Sequence, residues 1–302
     1  MNYTDHTKTV LVSGASGLVG RALCADLLQN GYAVRRLSRS GASDVSWNVE
    51  RAELSPAALD GVDFVIHLAG EPIAQRWTRA VQKRILDSRV QSTQLLVREI
   101  LKQKQPPVFI CASGINYYGH QCSEPVDESA AAGEGFLAQV CCEWEAAAEP
   151  LIQAGVRTVF VRTGIVLSRS GGALAKMLPP FKLALGGRIG SGRQHMSWIG
   201  LADLVAIYRF AMNSDSLSGP INAVAPRSIS NLRFTVALGQ ALGRPTLFPA
   251  PALVIKILFG EMADETLLAD LAVVPWRLQQ LGFTWESGSL AAALAATLST
   301  TV

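Results

Sequence analysis

The sequence predicts an α/β protein: a doubly wound parallel sheet with helices on both faces, followed by a smaller C-terminal α/β lobe. Short β-branched, apolar runs alternate with longer segments of helical periodicity in the first half of the chain, as is typical of parallel sheets. A glycine-rich turn directly follows the first of these runs. After residue 165 the alternation weakens and glycine and proline become frequent, which indicates irregular structure near a cleft.

The first elements follow from periodicity and stop signals. Thr9 to Val12 is a β-branched apolar run, and Leu18 to Leu28 carries apolar residues at helical spacing. The dipeptide Asn30-Gly31 supplies a stop before a second strand at Tyr32 to Leu37. These segments therefore predict a strand, a turn, a helix and a strand.

The alternation continues through the next hundred residues. Buried strands are predicted at 63–68 and 108–111, and a long helix from about Thr78 to Lys102 separates them. A helix around 136–152 leads to the apolar strand VRTVFVRTG. Strands and helices of these lengths predict a sheet that is covered on both faces.

Two parts are predicted along the chain. Residues 1–168 and 196–230 are expected to form the larger domain, with a strand at 220–222 returning to its sheet. Residues 169–195 and 231–302 are expected to form the smaller lobe, which would close over a cleft.

Composition restricts the classes of function. The chain has 302 residues, of which 49% are hydrophobic and 17% charged, so it is not a disordered protein. A net charge of +3, with no basic run among aromatics, gives no support for binding to nucleic acid or to a membrane surface. The polar start lacks a signal-peptide core, and no window approaches eighteen uninterrupted apolar residues. The five cysteines have no metal-ligand spacing, so we expect no metal site and a cytoplasmic protein with reduced thiols.

The glycine-rich turn is the strongest functional signal. Gly14, Gly17 and Gly20 form a GxxGxxG motif between an apolar strand and a helix. The first glycine permits the tight turn, the second lets the backbone approach a pyrophosphate, and the third allows close helix packing. The amides of the helix N-terminus then bind the phosphates. The motif predicts a dinucleotide site in a Rossmann-type fold, and the alternative is a turn without a ligand.

The end of the second strand indicates which dinucleotide binds. Enzymes that use NAD usually carry an acidic residue there, which binds the ribose 2′-hydroxyl. This chain has Ser38 and Arg39 instead, with Arg36 two residues before Ser38. Arginine can bind a 2′-phosphate through two parallel hydrogen bonds, whereas a carboxylate would repel it. We therefore predict NADP(H), with a solvated loop charge as the alternative role of Arg39.

Longer motifs carry a resemblance to a known family. They are GASGLVG at 14–20, HLAGE at 67–71, CASGINYYG at 111–119 and the block from 162 to 199. With them the chain resembles the short-chain dehydrogenase/reductase superfamily, in its extended, nucleotide-sugar-epimerase-like branch. It is most similar to an atypical subfamily of "epimerase family" proteins that bind NADP, and GEMADETLL and LGFTW resemble the C-terminal extension of that subfamily. The resemblance covers nearly the whole chain.

The resemblance implies a set of site residues. Ser113 corresponds to the serine that hydrogen-bonds the substrate oxygen in active relatives, and Gly164 to Val166 correspond to backbone that holds the nicotinamide carboxamide. The cofactor contacts implied in this way are Gly14, Ser16, Gly17, Leu18, Val19, Gly20, Ser38, Arg39, His67, Leu68, Ala69, Arg89, Gly164, Ile165 and Val166.

One pair of catalytic residues is missing. Active relatives use Tyr-x-x-x-Lys on one helix face, where tyrosine moves a proton and lysine binds the nicotinamide ribose. At these positions the sequence has Phe136 and Val140 or, one residue later, Leu137 and Cys141. Neither phenylalanine nor leucine has a proton to give, and valine has no group that binds a ribose hydroxyl.

Other residues near this position are candidate proton carriers. Tyr117 and Tyr118 follow Ser113 closely, and the alternative for each is a packing tyrosine with a bonded hydroxyl. Cys141 is either a thiol acid or a buried, inert thiol. Glu71 is either a proton carrier at the substrate or a carboxylate that caps a helix.

On the substrate side, Arg193 is the candidate contact for an anionic substrate group, and a structural role in its glycine-rich loop is the alternative. Arg188 is a weaker companion. The resemblance predicts WIHIDD where this chain has WIGLAD, so a histidine and one aspartate are absent. We expect the remaining aspartate, Asp203, to cap the helix that follows.

Two functional hypotheses remain. The first is an NADP(H)-dependent, epimerase-like oxidoreductase that acts on a small molecule. An anionic group on that substrate would suit the candidate contact Arg193. The second is a non-catalytic NADP(H)-binding redox sensor or regulatory protein. Relatives often form homodimers through helices corresponding to 78–103 and 135–153, so a homodimer is an additional expectation.

Overall fold

An eight-stranded sheet lies at the centre of the computed structural model, which describes residues 7–39 and 44–299. The strands in chain order are β1 (Thr9–Ser13), β2 (Ala33–Ser38), β3 (Val45–Asn48), β4 (Glu53–Leu54), β5 (Phe64–His67), β6 (Val108–Gly114), β7 (Gln121–Val126), β8 (Thr158–Thr163), β9 (Ile165–Leu167), β10 (His195–Met196), β11 (Trp198–Gly200), β12 (Gly219–Ala223), β13 (Ile229–Ser230) and β14 (Asp270–Val273).

The central sheet has the spatial order β12-β8-β6-β5-β1-β2-β3-β4. All neighbouring strands are parallel except β3 and β4. The chain winds from β1 through β2 to β3 on one side, then returns to β5 and continues outward through β6, β8 and β12. This reversal beside β1 confirms the predicted doubly wound parallel sheet, and ligands of such sheets bind where the order reverses.

The α-helices of the described residues surround this sheet and follow it in the C-terminal part. None of them is long and apolar enough to cross a membrane. They are α1 (Leu18–Gln29), α2 (Arg79–Ile100), α3 (Phe136–Ala146), α4 (Glu149–Gln153), α5 (Gly172–Lys182), α6 (Leu201–Asn213), α7 (Asn231–Leu242), α8 (Ala252–Phe259), α9 (Trp276–Gln280) and α10 (Leu290–Ser299).

Each face of the sheet has its own buried core. On one face, α1 and α6 pack together, and Leu23, Leu27 and Ile207 are fully buried there. On the other face, Leu96 of α2 and Trp144 of α3 pack against the sheet. Because both faces are covered, the inner strands carry apolar residues on both faces up to the polar residues near their carboxyl ends.

Local signals explain where the helices begin and end. Thr78 caps α2, because its hydroxyl accepts a hydrogen bond from the amide of Val81 at 3.2 Å. The single helix predicted over 136–152 was wrong in one respect: it is divided into α3 and α4. Pro150 lies in the first turn of α4, where its missing amide costs nothing. The short strands β3 and β4 were not predicted.

Smaller sheets connect the C-terminal part to the rest of the chain. The strand pairs are β9 with β11, β10 with β13, and β7 with β14. A third buried core, which includes Leu174, Phe181, Phe234 and Leu294, joins α5, α7 and α10. The pairing of β7 with β14 links segments on either side of the boundary that we propose between the two parts.

Candidate functional site

The glycine-rich turn lies where the strand order reverses. Gly14 has a φ of +69°, and the amide of Gly17 donates to its carbonyl at 2.9 Å. A Cβ on Gly14 would lie 2.8 Å from the carbonyl carbon of Leu68, at the end of β5. The third glycine, Gly20, also has no room for a Cβ beside the turn. The turn is therefore packed closely against β5, and it directs the N-terminus of α1 toward the carboxyl edge of the sheet.

The first turn of α1 is suited to anions. Helix α1 begins at Leu18 with neither a side-chain cap nor an acidic residue in its first turn. Unpaired amides and the positive end of the helix dipole favour a negatively charged group at this position. The predicted residues Ser16, Leu18 and Val19 thus lie at a phosphate-compatible terminus.

Arg39 lies at the end of β2, exposed to solvent. It lines a cavity of about 430 Å³ together with residues from β3 and β4, including Ser46 and Asn48. The side chain has no hydrogen bond or ion pair with another residue in the described ranges. Arg36 is different, because Asp44 binds its Nε at 3.2 Å and its backbone amide at 2.9 Å. Of these two arginines, Arg39 is the one whose guanidinium remains open to a ligand.

His67 is a buried residue at the end of β5 that helps to hold the strands of the site together. It is fully buried, with its Nδ1 2.6 Å from the hydroxyl of Ser13 and its Nε2 3.0 Å from the hydroxyl of Ser92. Burial, with a smaller effect of the nearby Arg89, lowers the pKa of His67 to about 3. Both ring nitrogens have partners within the protein, so the imidazole holds β5 against β1 and α2.

Ser13 connects this buried histidine to the cofactor edge. Its hydroxyl accepts hydrogen bonds from the amides of Leu68 at 3.1 Å and Ala69 at 3.4 Å. The loop after β5 is thereby fixed beside the glycine-rich turn. Sequence analysis did not identify Ser13, because a serine at the end of an apolar strand carries no motif of its own.

Arg89 is a buried cation beneath the same loop. Only 7% of its surface is exposed, and its Nη1 donates to the carbonyls of Ile85 at 2.9 Å and Glu71 at 3.1 Å. Its guanidinium lies 5.0 Å from the ring of Trp144 and fills the space that a Cβ on Gly70 would need. The Nε has no hydrogen-bond partner among the described residues, which leaves one donor unused in a buried position.

Ser113 is hydrogen-bonded within the protein. Its hydroxyl donates to Oε1 of Glu145 at 2.6 Å. Arg162 binds the same carboxylate in a bidentate way, with distances of 2.9 Å and 2.8 Å. Burial opposes the charge of Arg162, but its bonds to Glu145 outweigh burial and raise the pKa of Arg162 above its ordinary value. Since a carboxylate oxygen accepts this hydrogen bond, the single proton of Ser113 is committed to Glu145.

The two tyrosines after Ser113 belong to this network. The hydroxyl of Tyr118 donates to Oδ1 of Asn222 at 2.8 Å and accepts from Nη1 of Arg162 at 3.0 Å. Burial raises the pKa of Tyr118, against the opposing effect of Arg162. The ring of Tyr117 lies 3.4 Å from the Arg162 guanidinium. Tyr118 has the contacts of a packing tyrosine with a bonded hydroxyl, and Tyr117 is positioned by stacking.

The two positions of the missing Tyr-x-x-x-Lys pair carry uncharged, largely buried side chains, whichever of the two registers applies. Phe136 packs edge-on against Trp77 with ring centroids 5.0 Å apart, and Val140 is buried against α2. Leu137 and Cys141, the alternative pair, are also buried. Burial is the main cause that raises the pKa of the Cys141 thiol to about 11. The thiol therefore remains protonated at neutral pH and is a poor proton carrier.

Glu265 holds the helix that bears these residues. The amides of Phe136 and Leu137 donate to its two carboxylate oxygens at 2.7 Å and 2.6 Å. Asn116 binds the backbone carbonyl of Glu265 at 2.9 Å. Helix α3 has no side-chain cap of its own and no acidic residue in its first turn. A carboxylate from the C-terminal segment thus caps it, a long-range role that no local sequence signal predicts.

The proposed substrate contacts differ in their surroundings. Glu71 accepts from Gln75 at 3.2 Å and lies 3.7 Å from Arg84, so it is a partly exposed, paired carboxylate. Arg193 is exposed, and its guanidinium has no partner among the described residues. Arg188 donates to the carbonyls of Gly190 and Ser191, which fits a structural role in that loop.

Two further expectations concern β9 and α6. Gly164, Ile165 and Val166 follow β8, and β9 pairs with β11 beside the sheet.

The prediction that Asp203 caps α6 was wrong. Its carboxylate instead accepts from the amides of Glu286 at 2.7 Å and Ser287 at 3.2 Å, so it fastens the chain before α10.

The doubly wound sheet and the glycine-rich turn at the reversal point define a Rossmann-type fold. The profile described as "NAD dependent epimerase/dehydratase family" matches residues 10–223, and a domain of unknown function (DUF1731) matches residues 250–297. The chain belongs to the NAD dependent epimerase/dehydratase family, as the resemblance predicted.

Individual relatives resemble almost the whole chain. Epimerase family protein Mb2239 of Mycobacterium bovis is 42% identical over 289 residues, which cover 94% of this chain and 96% of that protein. The crystal structure of human epimerase family protein SDR39U1 (isoform 2) with NADPH is similar at a TM-score of 0.88 and 35% identity, covering 97% of this chain and 100% of that one. A nucleoside-diphosphate sugar epimerase from Corynebacterium glutamicum reaches a TM-score of 0.80 at 34% identity, covering 97% of this chain and 58% of that one.

We expect the substitution His67→Asn to reduce the pH dependence of stability. The folded pKa of about 3 lies below the ordinary value of 6.5, so the unfolded chain binds a proton that the folded chain excludes. The contribution of His67 to stability is complete above pH 6.5 and is lost as pH falls toward 3. Urea unfolding at pH 7.5 and 5.0 should show a loss in the parent that exceeds the loss in the variant by about 2 kcal/mol. Equal losses would contradict this account of His67.

We expect Glu265→Ala to loosen the start of α3. Removing two hydrogen bonds to a buried carboxylate should lower the free energy of unfolding by about 2–4 kcal/mol. The amides of Phe136 and Leu137 should also exchange faster with deuterium than in the parent. Glu261→Ala is the matched control, because among the described residues that exposed carboxylate binds only the Gln82 side chain. Its loss should change stability by less than ~0.5 kcal/mol. Unchanged exchange in Glu265→Ala would show that the cap is dispensable.

Proposed function

We propose that the protein is an NADP(H)-dependent, epimerase-like oxidoreductase that acts on a small molecule. One observation carries the cofactor assignment: the close-packed Gly14 turn at the strand reversal lies on the same edge as the open guanidinium of Arg39. The turn suits a diphosphate, and the arginine suits a 2′-phosphate. The NADPH in the structure of the similar SDR39U1 supports the same assignment.

The residues present fit a dinucleotide. The uncapped start of α1 would hold the diphosphate, and Arg39 would hold the phosphate on the adenosine ribose. Leu68 and Ala69, fixed by Ser13, would lie along the cofactor. Val140 occupies the position where the resemblance implies a lysine that binds the nicotinamide ribose. Arg89 lies beneath this edge, and its buried Nε is a donor without a partner among the described residues. When bound, NADP(H) would supply the hydride chemistry.

Ser113 and Glu145 are the proposed proton carriers. Because the hydroxyl proton of Ser113 points to Glu145, its oxygen can accept a hydrogen bond from the substrate but has no second proton to donate. The site thus favours a substrate hydroxyl over a carbonyl. Its proton would pass to Ser113 while the serine proton passes to Glu145. Bound oxidised NADP would supply the hydride acceptor for the carbon that bears this hydroxyl.

Proton transfer through Ser113 and Glu145 is expected to be slower than direct transfer by a tyrosine hydroxyl. Proton transfer to Glu145 would have to disrupt part of its bidentate ion pair with Arg162. Arg193, unpaired among the described residues, would bind an anionic substrate group. The apolar Phe136 position explains why a second hypothesis exists, namely a non-catalytic NADP(H)-binding sensor that keeps the cofactor site without turnover.

The cofactor assignment is tested by fluorescence titration with NADPH and NADH. We expect Arg39→Ala to weaken NADPH binding by about 10- to 100-fold, since a hydrogen bond to a charged group contributes roughly 1.5–3 kcal/mol. NADH binding should not change. Arg244→Ala, which removes an exposed arginine from the end of α7, is the control. Equal affinity of the parent for both nucleotides would contradict the role of Arg39.

The reaction is tested by a screen of secondary alcohols with NADP and of carbonyl compounds with NADPH. We expect turnover of alcohols, with Ser113→Ala and Glu145→Gln each reducing it by ~10²–10⁴ while NADPH affinity is retained. Glu143→Gln on the same helix is the matched control, because its partner Gln139 lies outside the network. Tight NADPH binding without turnover of either class would favour the sensor hypothesis.

A further inference from the structure

A cavity of about 490 Å³ lies apart from the candidate cofactor and substrate residues. It is bordered by α1, the first turns of α6, the segment after β9 and helix α10. None of the described residues that line it is among those proposed to contact NADP(H) or the substrate. We call this space the α1–α6 cavity, and its apolar lining residues are Ala22, Ala25, Leu167, Leu201, Ala202, Val205, Ala206, Ala293 and Ala296.

The size and the walls of the α1–α6 cavity suit a small molecule. Pockets for small ligands usually have volumes of about 300–1,000 Å³, with mostly apolar walls and a few polar groups. Six of the lining residues are alanines, so the helices leave space that larger side chains would fill. The polar groups of the lining then decide which ligand chemistry fits.

Asp203 is a buried carboxylate in this lining, with only 1% of its surface exposed. Its oxygens accept hydrogen bonds from the amides of Glu286 and Ser287, and it has no ion pair among the described residues. Burial is the main cause that raises the pKa of Asp203, and the Glu286 carboxylate adds to that effect against the two amide hydrogen bonds. The carboxylate therefore lacks the cation that normally accompanies a buried charge.

Gly200 leaves open space beside this carboxylate. Its backbone has φ −68° and ψ 145°, so an added Cβ would meet no backbone strain. Apart from its neighbours in sequence, the one heavy atom of the described residues within 4 Å of such a Cβ is Oδ2 of Asp203, at 3.6 Å. A carboxylate has about four acceptor positions, of which the two amides use two. Oδ2 can therefore accept a further hydrogen bond from a group in the cavity.

The other charges of the lining also favour a cation at this end. Arg209 is paired with Asp26 at 3.0 Å, and Arg169 donates to a backbone carbonyl of α10 at 3.1 Å. Glu286 is exposed and forms no ion pair among the residues that the structure describes. Asp203 and Glu286 are thus two neighbouring carboxylates without a cationic partner in the described ranges.

We propose that the α1–α6 cavity is a binding site for a small organic ammonium ion with an apolar body. The ammonium group would donate a charge-assisted hydrogen bond to Oδ2 of Asp203. The apolar body would lie against the alanines of α1, α6 and α10. This site is independent of NADP(H) binding, because it shares no residue with the proposed cofactor contacts.

Titration of the full chain with 2-phenylethylamine at neutral pH, followed by ¹H–¹⁵N correlation NMR, tests the site. We expect saturable shifts of the amides of Gly200, Glu286 and Ser287, with a Kd of about 1 mM or lower for a ligand of this size. The uncharged 2-phenylethanol should bind at least ~10-fold more weakly, because it cannot form a hydrogen bond between two charged groups. Phenylacetate should cause no saturable shift, and saturating NADPH should leave the Kd of the amine unchanged.

Variants that fill the cavity provide a second test. Ala202→Leu/Ala206→Leu places two larger side chains one turn apart on α6, and should lower the affinity for 2-phenylethylamine by roughly 10-fold or more. Its circular dichroism spectrum should match that of the parent. Ala295→Leu adds the same side chain at an exposed position of α10 outside the lining, and should bind the amine as the parent does.

Several results would overturn the proposal. One is the absence of saturable shifts up to about 20 mM 2-phenylethylamine, well above the expected Kd. Another is equal affinity for the amine and the alcohol, which would show that the Asp203 charge is not used. Retained affinity in Ala202→Leu/Ala206→Leu, or lost affinity in Ala295→Leu, would place the ligand elsewhere. Competition between the amine and NADPH would assign the binding to the cofactor cleft instead.

Discussion

The buried ion pair between Glu145 and Arg162 is the interaction on which the site depends. Arg162 comes from β8 and Glu145 from α3, so the pair fastens helix α3 to the eight-stranded sheet. A half-paired charge in this position would be strongly destabilising. Its remaining hydrogen-bonding capacity is used by Ser113 and Tyr118, while Tyr117 stacks on the guanidinium. One ion pair thereby orients the polar groups of the candidate site.

Helix α3 carries Phe136 and Val140 at the positions where the family resemblance implies a tyrosine and a lysine. Its start is held by Glu265 and its last turns by Glu145. Between them, Phe136 and Val140 pack against α2 and its preceding loop. The helix is therefore a structural element of the site, and in the proposed function the proton passes through Ser113 instead.

Local patterns predicted the sheet, the glycine-rich turn and α2, because each depends on short-range periodicity or on one turn. They could not predict the roles that depend on distant partners. His67 has the position of a cofactor contact, but two serines occupy its ring. Asp203 has the position of a helix cap, but it binds amides more than eighty residues away. Glu265 stands in a segment with no motif for capping. Such contacts follow from tertiary packing, which one sequence does not specify residue by residue.

The orientation of the Ser113 proton is the most direct test of the account. Neutron diffraction from deuterated crystals of the NADP(H) complex would locate that deuteron. The account predicts that it lies on Ser113 Oγ and points to Oε1 of Glu145, with the other oxygen lone pair facing the cleft. A deuteron directed into the cleft, or one bound to Glu145, would contradict it. The site would then donate to a carbonyl, as in relatives that retain the tyrosine.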